Sequence, residues 1–574
     1  MKIACCKYRF FWLLSIVFVL AGLVSCSAAI DDRPPIVRDK DKTVLIGRAI
    51  NAQNMPIDRL QISLLAEEQP TGLSARTRAD GWFVIELDET IDSHMSLTFS
   101  RRHYRTENIT LTLEQLEALK APGVVSVGSV VIERQRTAAF WITIIIFLFM
   151  MVLIGATPMH NALAALVGAS LLLATSALGH LFSDSLIVFG FNQAVAAVDW
   201  NVIFLIMGMM IVIAVIEGTG LFRWLAFFAY KTSGGRLGKL MVILMVLTAV
   251  SSAFLDNVTT MLLMAPITIR IALALDIDPL ILLFPEVLAS NVGGLATMVG
   301  TPTNILIASY SGISFSGFLI NLSPGVFLAL GGIAVYILLR YRKQIEAGGT
   351  EASPELLERL KQGAVIDEPI HLKKAGWVGL GMLILFLVGE HLQVPPAVIA
   401  LMGATSLLVW IKPNVEEMIE AVDWTTLVFF ITLFMVIGAL QEVGLIDLLA
   451  VGVSYLVGDS QFLAMLVITW LAALISTVIP NIPFTATMLP VVGYLTASIP
   501  GIDPHCLFFC LAVGAAMGGN GSLIGASANL VTAGIAERAG YSITFAHFFK
   551  VGFPALLISV SLGFLWLLIR YLVF

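Results

Sequence analysis

Charge is what this sequence has least of. Asp, Glu, Lys and Arg together make up 13% of its 574 residues, against roughly a quarter in a soluble globular chain. Hydrophobic residues make up 58%, so most of the chain must be solvated by lipid or packed in a bundle inside a membrane. The net charge of −6 leaves no basic stripe, which excludes nucleic acid as a partner. Cysteine is also scarce. Cys5, Cys6, Cys26, Cys506 and Cys510 form no CxxC pair and no Cys/His cluster at metal-ligand spacing, so no metal centre is expected. Cys506 and Cys510 stand four residues apart on an apolar run and read as packing thiols. No nucleophile–base pair is apparent either, so the chain is not expected to be an enzyme or to hold an organic cofactor.

What is present begins with a targeting segment over 1–26. Lys2, Lys7 and Arg9 precede an apolar run that ends at Leu23-Val24-Ser25-Cys26. That ending admits two readings, a lipobox with Cys26 as the lipidated residue or a retained first transmembrane helix. Both send the next segment outside. From 40 to 134 short apolar runs alternate at strand period between turn residues, and about six or seven strands in that length predict a small β-sandwich. Asp80-Gly81 before Trp82 reads as a hairpin turn. Gly47-Arg48-Ala49, Thr77 to Phe83 and Tyr104 resemble a carboxypeptidase-regulatory-like sandwich, a spacer or interaction module.

From 138 onward apolar spans of bilayer length follow one another, in one block over 138–340 and a second over 375–574. The interval 341–374 is rich in Lys and Arg and reads as a cytoplasmic linker. With the β-domain outside, an odd number of crossings separates the two, so the second block starts from the opposite side. That is the parity of an inverted repeat.

The blocks are related in sequence. Ala197-Val198-Asp199-Trp200 recurs as Ala421-Val422-Asp423-Trp424, an offset of 224 at which Asn257 meets Asn481 and Pro266 meets Pro490. One residue later in register, Gly293-Gly294 meets Gly518-Gly519, Gly300 meets Gly525 and Asn304 meets Asn529. Matches on Asn, Gly, Pro and Asp do not follow from shared apolar composition.

Each block carries two polar interruptions. The first pair runs from Ser251 to Thr260 and from Ser476 to Thr485, and the second from Gly293 to Asn304 and from Gly518 to Asn529. Irregular backbone at membrane depth survives only inside protein or along a wet cavity. Such segments offer carbonyls, amides and hydroxyls to a dehydrated cation, and their helix N-termini favour an anion. Paired breaks in corresponding positions point to a transport site; glycines there also serve close helix packing. Asp256 is the sharpest residue, a carboxylate at membrane depth whose repeat partner is Pro480. Glu286, in the apolar run from Ile281 to Val287, is the second coupling candidate. Asp199 and Asp423 directly precede apolar spans and read as interfacial N-caps.

The motifs from Ser252 to Leu263, Ala289 to Gly294, Asn481 to Met488 and Gly518 to Asn529 resemble the P protein branch of the ion transporter superfamily. Arsenite efflux permeases, sodium/proton antiporters and citrate and dicarboxylate symporters also belong there. The resemblance covers 138–574. It implies an all-α polytopic membrane protein of two inverted repeats, with re-entrant hairpins and unwound helices, working as a homodimer. It implies that Asn257, Thr259, Gly300, Asn481, Thr485 and Gly525 surround sodium or substrate carboxylates. Together with the polar interruptions it marks Thr260, Asn291, Thr301, Asn304, Asn520, Ser522, Ser527 and Asn529 as further candidates. Two departures stand out: Pro480 replaces a second Asp, and Thr301 and Thr303 replace Asp and Pro.

The expectation is a secondary transporter of a small anion or organic anion, citrate- or dicarboxylate-like, coupled to Na⁺ or H⁺. It would sit in a bacterial cytoplasmic membrane with its β-domain on the periplasmic or extracellular side. A cation/proton antiporter or arsenite efflux permease, and a passive anion channel, are the alternatives. A sensor would need a cytoplasmic signalling domain, and only the 341–374 interval is available for one.

Overall fold

A computed structural model describes residues 43–573, except 52–55, 67–68, 88–94, 120–122, 157–158, 348–357, 359–365 and 367. The 1–26 segment with Cys26, and most of 341–374, lie outside the described residues.

Among the described residues seven strands form two sheets, β1 Thr43–Ile50, β2 Gln61–Ala66, β3 Gln69–Arg76, β4 Trp82–Leu87, β5 Met95–Ser100, β6 Glu107–Thr110 and β7 Gly123–Val131. One sheet has the order β4-β1-β7 and the other β3-β2-β5-β6. In β4 and β5 alternate residues are buried, and they meet between the sheets, where Phe83 and Phe99 pack edge to face at 5.6 Å. The turn at Asp80-Gly81 is not a hairpin. Gly81 has the positive φ expected of it (78°), but the turn carries the chain from β3 in one sheet to β4 in the other. A Cβ there would lie 2.6 Å from the Ala49 carbonyl oxygen, so the crossing depends on glycine.

The remainder is helical. The first block comprises α1 Ala138–Ala156, α2 Asn161–Phe182, α3 Trp200–Glu217, α4 Leu221–Ser233, α5 Leu237–Phe254, α6 Asn257–Ala274, α7 Leu280–Gly293, α8 Pro302–Ser311 and α9 Phe315–Arg340. The second comprises α10 Pro369–Val388, α11 Pro396–Ile411, α12 Trp424–Val443, α13 Leu445–Val457, α14 Gln461–Ile475, α15 Asn481–Ser498, α16 Cys506–Gly518, α17 Ser527–Arg538 and α18 Phe545–Leu568. Among the described residues, nine helices are long and apolar enough to cross a membrane.

Element for element the second run follows the first. Asp199 caps α3 and Asp423 caps α12. Pro266 lies inside α6 and Pro490 inside α15. Ser314 caps α9 and Thr544 caps α18, and each of those helices holds an interior proline, Pro324 and Pro554. The blocks interlock: α3 packs on α11, α12 on α2, α6 on α17 and α8 on α15. At the α3–α11 crossing a Cβ on Gly208 would lie 2.8 Å from the Ala400 carbonyl carbon, so the backbones nearly touch.

The sandwich is fixed to this core by partly buried polar contacts. Arg101 pairs with Asp58 (2.7 Å) and with Glu442 at the end of α12 (3.0 Å). Arg134 donates to the Glu442 carbonyl (2.7 Å) and pairs with Asp447 of α13 (2.9 Å). Both guanidinium groups lie over the Tyr104 ring. His103 Nε2 donates to the Val188 carbonyl at 3.1 Å, and Nδ1 lies 3.1 Å from Thr137 Oγ1.

Candidate functional site

Two helix breaks meet two unwound segments at the centre of the helical core. The first break is Leu255-Asp256, between α5 and α6. Asp256 adopts extended backbone and caps α6, Oδ1 accepting from the backbone N–H of Val258 and Thr259 (both 2.9 Å). Its other oxygen accepts from Thr259 Oγ1 at 2.5 Å. The corresponding break, between α14 and α15, has Pro480 at the cap, whose side chain can accept nothing from the first N–H groups of α15. The negative charge is therefore one-sided.

The unwound segments are built alike. After α7 a short 3₁₀ turn leads through extended Thr297 to α8, which Thr301 caps. After α16 a matching turn leads through extended Ser522 to α17. In each, one asparagine from the following helix reaches back to the loop. Asn304 Nδ2 donates to the Gly294, Leu295 and Thr297 carbonyls (3.3, 3.3 and 2.7 Å), and Asn529 Nδ2 to those of Gly519 and Ser522 (both 2.8 Å). In each, a hydroxyl ties the loop to the neighbouring break, Thr297 to the Ala253 carbonyl and Ser522 to that of Thr477. The loops are also pressed against other backbone. A Cβ on Gly300 would lie 2.4 Å from the Gly294 carbonyl oxygen, and one on Gly525 would lie 2.7 Å from that of Ser476. Those two glycines are accounted for by close backbone approach.

A chain of amides joins the halves. Asn257 donates to Asn291 (3.0 Å), and Asn291 donates onward to Asn520 (2.9 Å) and Asn529 (3.0 Å). Asn520 closes it on the Leu288 carbonyl (3.4 Å). Ala516 occupies the place in the second half that Asn291 occupies in the first. In consequence Asn529 Oδ1 has a donor, whereas Asn304 Oδ1 is buried with no partner among the described residues. Thr260 Oγ1 and Thr485 Oγ1 are buried and unpaired in the same way. Buried oxygens without donors are available to an incoming ligand.

A cavity of about 800 Å³ opens beside these elements, lined by Asp256, Asn257, Thr259, Thr301, Asn481 and Ser527 from the sequence-derived set. Thr260, Asn291, Gly300, Asn304, Thr485, Asn520, Ser522, Gly525 and Asn529 are buried and are not part of that lining. Glu286 is brought to neither. It is fully buried on α7, where Thr268 of α6 donates to it at 2.8 Å. Two titratable residues in the lining, His160 and Glu217, escaped the sequence reading, and a third, Asp423, was read only as a helix cap. Asp423 is the cap it was expected to be, accepting from Thr426 N at 3.1 Å, and it also brings a second carboxylate to the cavity of Asp256. The signal available was the Asp199/Asp423 repeat itself. Asp199 is engaged by Ser309 of α8, whereas Asp423 accepts from the Thr426 hydroxyl of its own helix at 2.5 Å.

A helical membrane core whose broken elements interlock around a cavity with a few converging polar groups defines a multi-pass membrane transporter. Residues 148–501 match the citrate transporter family, CitMHS, and the chain belongs to that family. An uncharacterized transporter of Mycobacterium tuberculosis is 36% identical over 434 residues, covering 75% of this chain and 99% of its own. The human P protein is 34% identical over 496 residues, covering 72% of this chain and 58% of its own. Among solved structures, the YdaH transporter of Alcanivorax borkumensis shares the fold with a TM-score of 0.51 at 17% identity, covering 71% of this chain and 98% of its own. MtrF of Neisseria gonorrhoeae gives 0.50 at 13% identity, covering 74% and 98%. The family is one of transporters, not enzymes.

Proposed function

We propose that this protein is a secondary-active transporter of a small organic anion of the citrate or dicarboxylate class, coupled to Na⁺ or H⁺. One observation carries the reading: Asp256, Asp423 and Glu217 share a cavity with His160, and the rest of its polar lining is neutral amide and hydroxyl. These carboxylates repel an incoming anion. Neutralised by Na⁺ or by protons, the same cavity becomes hospitable, with helix N-termini at Asn257, Pro302, Asn481 and Ser527 directed at it. Anion entry is thereby conditional on cation entry, which is the thermodynamic content of coupling. The orphaned oxygens of Asn304 and Thr485 support Na⁺ as one such cation.

The helix-by-helix correspondence of α1–α9 with α10–α18 supports inverted repeats with re-entrant helix pairs. In this reading the broken elements move as one body against the rest, in a homodimer, with the sandwich on the periplasmic or extracellular side. The acidic lining, with Glu217 as a third carboxylate, also supports cation/proton exchange as a second reading.

The test is uptake of labelled citrate and succinate into proteoliposomes under imposed Na⁺ or H⁺ gradients. Accumulation against the anion gradient establishes the symporter. Cation exchange without anion movement establishes the second reading, and flux that only dissipates the anion's own gradient overturns both in favour of a channel.

A further inference from the structure

The second large cavity of the molecule lies between the sandwich and the helical core and takes no part in the transport site. It has a volume of about 1110 Å³. Its roof is cationic: Arg59, Arg76, Arg101 and Arg102 line it, against the single carboxylate of Glu442. Arg101 is already engaged by Asp58 and Glu442. Arg59 lies 3.5 Å from Asp58 and is largely exposed. Arg76 and Arg102 have no acidic partner among the described residues. Two guanidinium groups, Arg76 and Arg102, thus line one space without an acidic partner of their own. Such an arrangement suits a phosphate, whose oxygens accept paired N–H donors.

The floor of the same cavity is of opposite character. It is made by Leu173, Ser176 and Ala177 of α2, with Ile187, Phe189 and Phe191 beyond the helix end. Leu173, Ser176 and Ala177 lie within the stretch of α2 that is long and apolar enough to span a membrane. Next to it Leu181 and Phe182 are 76% and 79% exposed, and Phe191 is 65% exposed. A soluble anion would gain from the roof and nothing from this wall. An amphiphile gains from both, since its phosphate meets the arginines while its acyl chains lie along α2.

We propose that this cavity holds the headgroup of an anionic phospholipid, drawn laterally from the bilayer, which joins the sandwich to the membrane core. The lipid phosphate neutralises Arg76 and Arg102 and adds a contact that the Arg101–Glu442 and Arg134–Asp447 pairs do not supply.

The experiment uses the full-length protein in detergent, with native mass spectrometry after addition of dioleoyl phosphatidylglycerol or, separately, dioleoyl phosphatidylcholine. Inorganic phosphate is added as a competitor in a third arm. Wild type is compared with the double variant Arg76→Gln/Arg102→Gln and with Arg78→Gln, an exposed arginine outside the cavity. The expected result is phosphatidylglycerol retention that exceeds phosphatidylcholine retention. It falls at least about tenfold in the double variant, as for the loss of two surface arginine contacts to an anionic lipid, and is unchanged in Arg78→Gln. Equal retention of the two lipids overturns the proposal, as does retention indifferent to the double variant. Displacement by inorganic phosphate at concentrations comparable to the lipid would assign the cavity to a free anion and overturn the lipid assignment.

Discussion

Asn291 donates its side-chain amide to Asn529 at 3.0 Å, across the boundary between the two halves of the helical core. The same amide reaches Asn520, and the Asn291 carbonyl oxygen takes the Asn257 amide, so one residue serves three others. None of the four is more than 7% exposed. Removing the hub therefore strands several groups in a medium that cannot hydrate them. Asn291→Ala is expected to destabilise the folded protein by about 1–3 kcal/mol for the unsatisfied partners, read as a lower thermal midpoint in detergent. Combined with Asn520→Ala it should fall short of additivity, because both substitutions break one network. Full additivity would show that the amides act separately.

Asp256 has two separable roles, as helix cap and as cavity charge. Asn caps a helix about as well as Asp, so Asp256→Asn should keep its bonds to the backbone N–H groups of Val258 and Thr259 and leave the melting temperature within a few degrees. Accumulation driven by a cation gradient should be lost, while exchange of labelled for unlabelled anion continues. Asp423→Asn should weaken the dependence on the cation rather than abolish it. Loss of folding in Asp256→Asn, or coupled accumulation at the wild-type level, would remove the coupling role from Asp256.

Glu286 supplies the contrast. Both are membrane-depth carboxylates of the first half, but Glu286 packs between α6 and α7 against Thr268, outside the cavity lining. Glu286→Gln preserves the contact with Thr268 and is expected to leave gradient-driven uptake within about threefold of wild type, a change of less than 1 kcal/mol. Glu286→Ala opens a hole and orphans Thr268, and should lower the melting temperature instead. If Glu286→Gln uncouples transport, the proton route passes through the α6–α7 interface and not only through the cavity.

How far these features could be read in advance depends on what made each residue visible. The repeat was legible because Asn304 and Asn529 perform the same loop-closing task, and no apolar residue can replace an amide that satisfies backbone carbonyls. The asymmetry was legible at Asp256 against Pro480, since a charge and a proline differ in kind. Asp423 was half read. Its capping role is a local property of sequence, whereas its place in the cavity depends on α12 lying beside the α5–α6 break, which is tertiary. Strand β3 is the least legible of the strands for a related reason. Gln69-Pro70-Thr71-Gly72 has little β-propensity, and it is pairing with β2 along one edge that makes it a strand. Thr297 hid among apolar neighbours until its bond to the Ala253 carbonyl placed it.

The glycines divide into two kinds, and substitution should separate them. At Gly300 a Cβ would meet the Gly294 and Ser252 carbonyl oxygens at 2.4 and 2.6 Å, backbone atoms that have no flexible end to move. Gly312 has φ of 72° but nothing within 4 Å of a Cβ. Gly312→Ala should therefore cost about 1 kcal/mol, from the left-handed backbone alone. Gly300→Ala should abolish transport and lower the melting temperature by far more, because the unwound segment must shift away from the α5–α6 break. Similar behaviour of the two variants in melting and uptake would mean that the loop yields readily at Gly300.

The last prediction concerns the joint between sandwich and core. His103 is only 4% exposed, and burial holds its imidazole below the ordinary value of 6.5, with the bond to the Val188 carbonyl and Glu442 pulling the other way and Arg102 and Arg134 adding to the depression. The neutral ring suits its place, with Nε2–H donating to Val188 and Nδ1 accepting from Thr137. A group whose value is depressed in the docked state binds protons more readily once undocked. The sign follows: docking is undisturbed by His103 above pH 6.5 and weakens as pH falls below that value toward the depressed one. Below the depressed value the loss levels off. Hydrogen exchange over 96–110 and 184–190 should accelerate between neutral pH and about pH 5, beyond the intrinsic pH dependence of exchange. His103→Gln cannot titrate and should flatten that difference, since its amide can still donate toward Val188. Persistence of the pH effect in His103→Gln would assign it instead to the Arg134–Asp447 ion pair at the same joint.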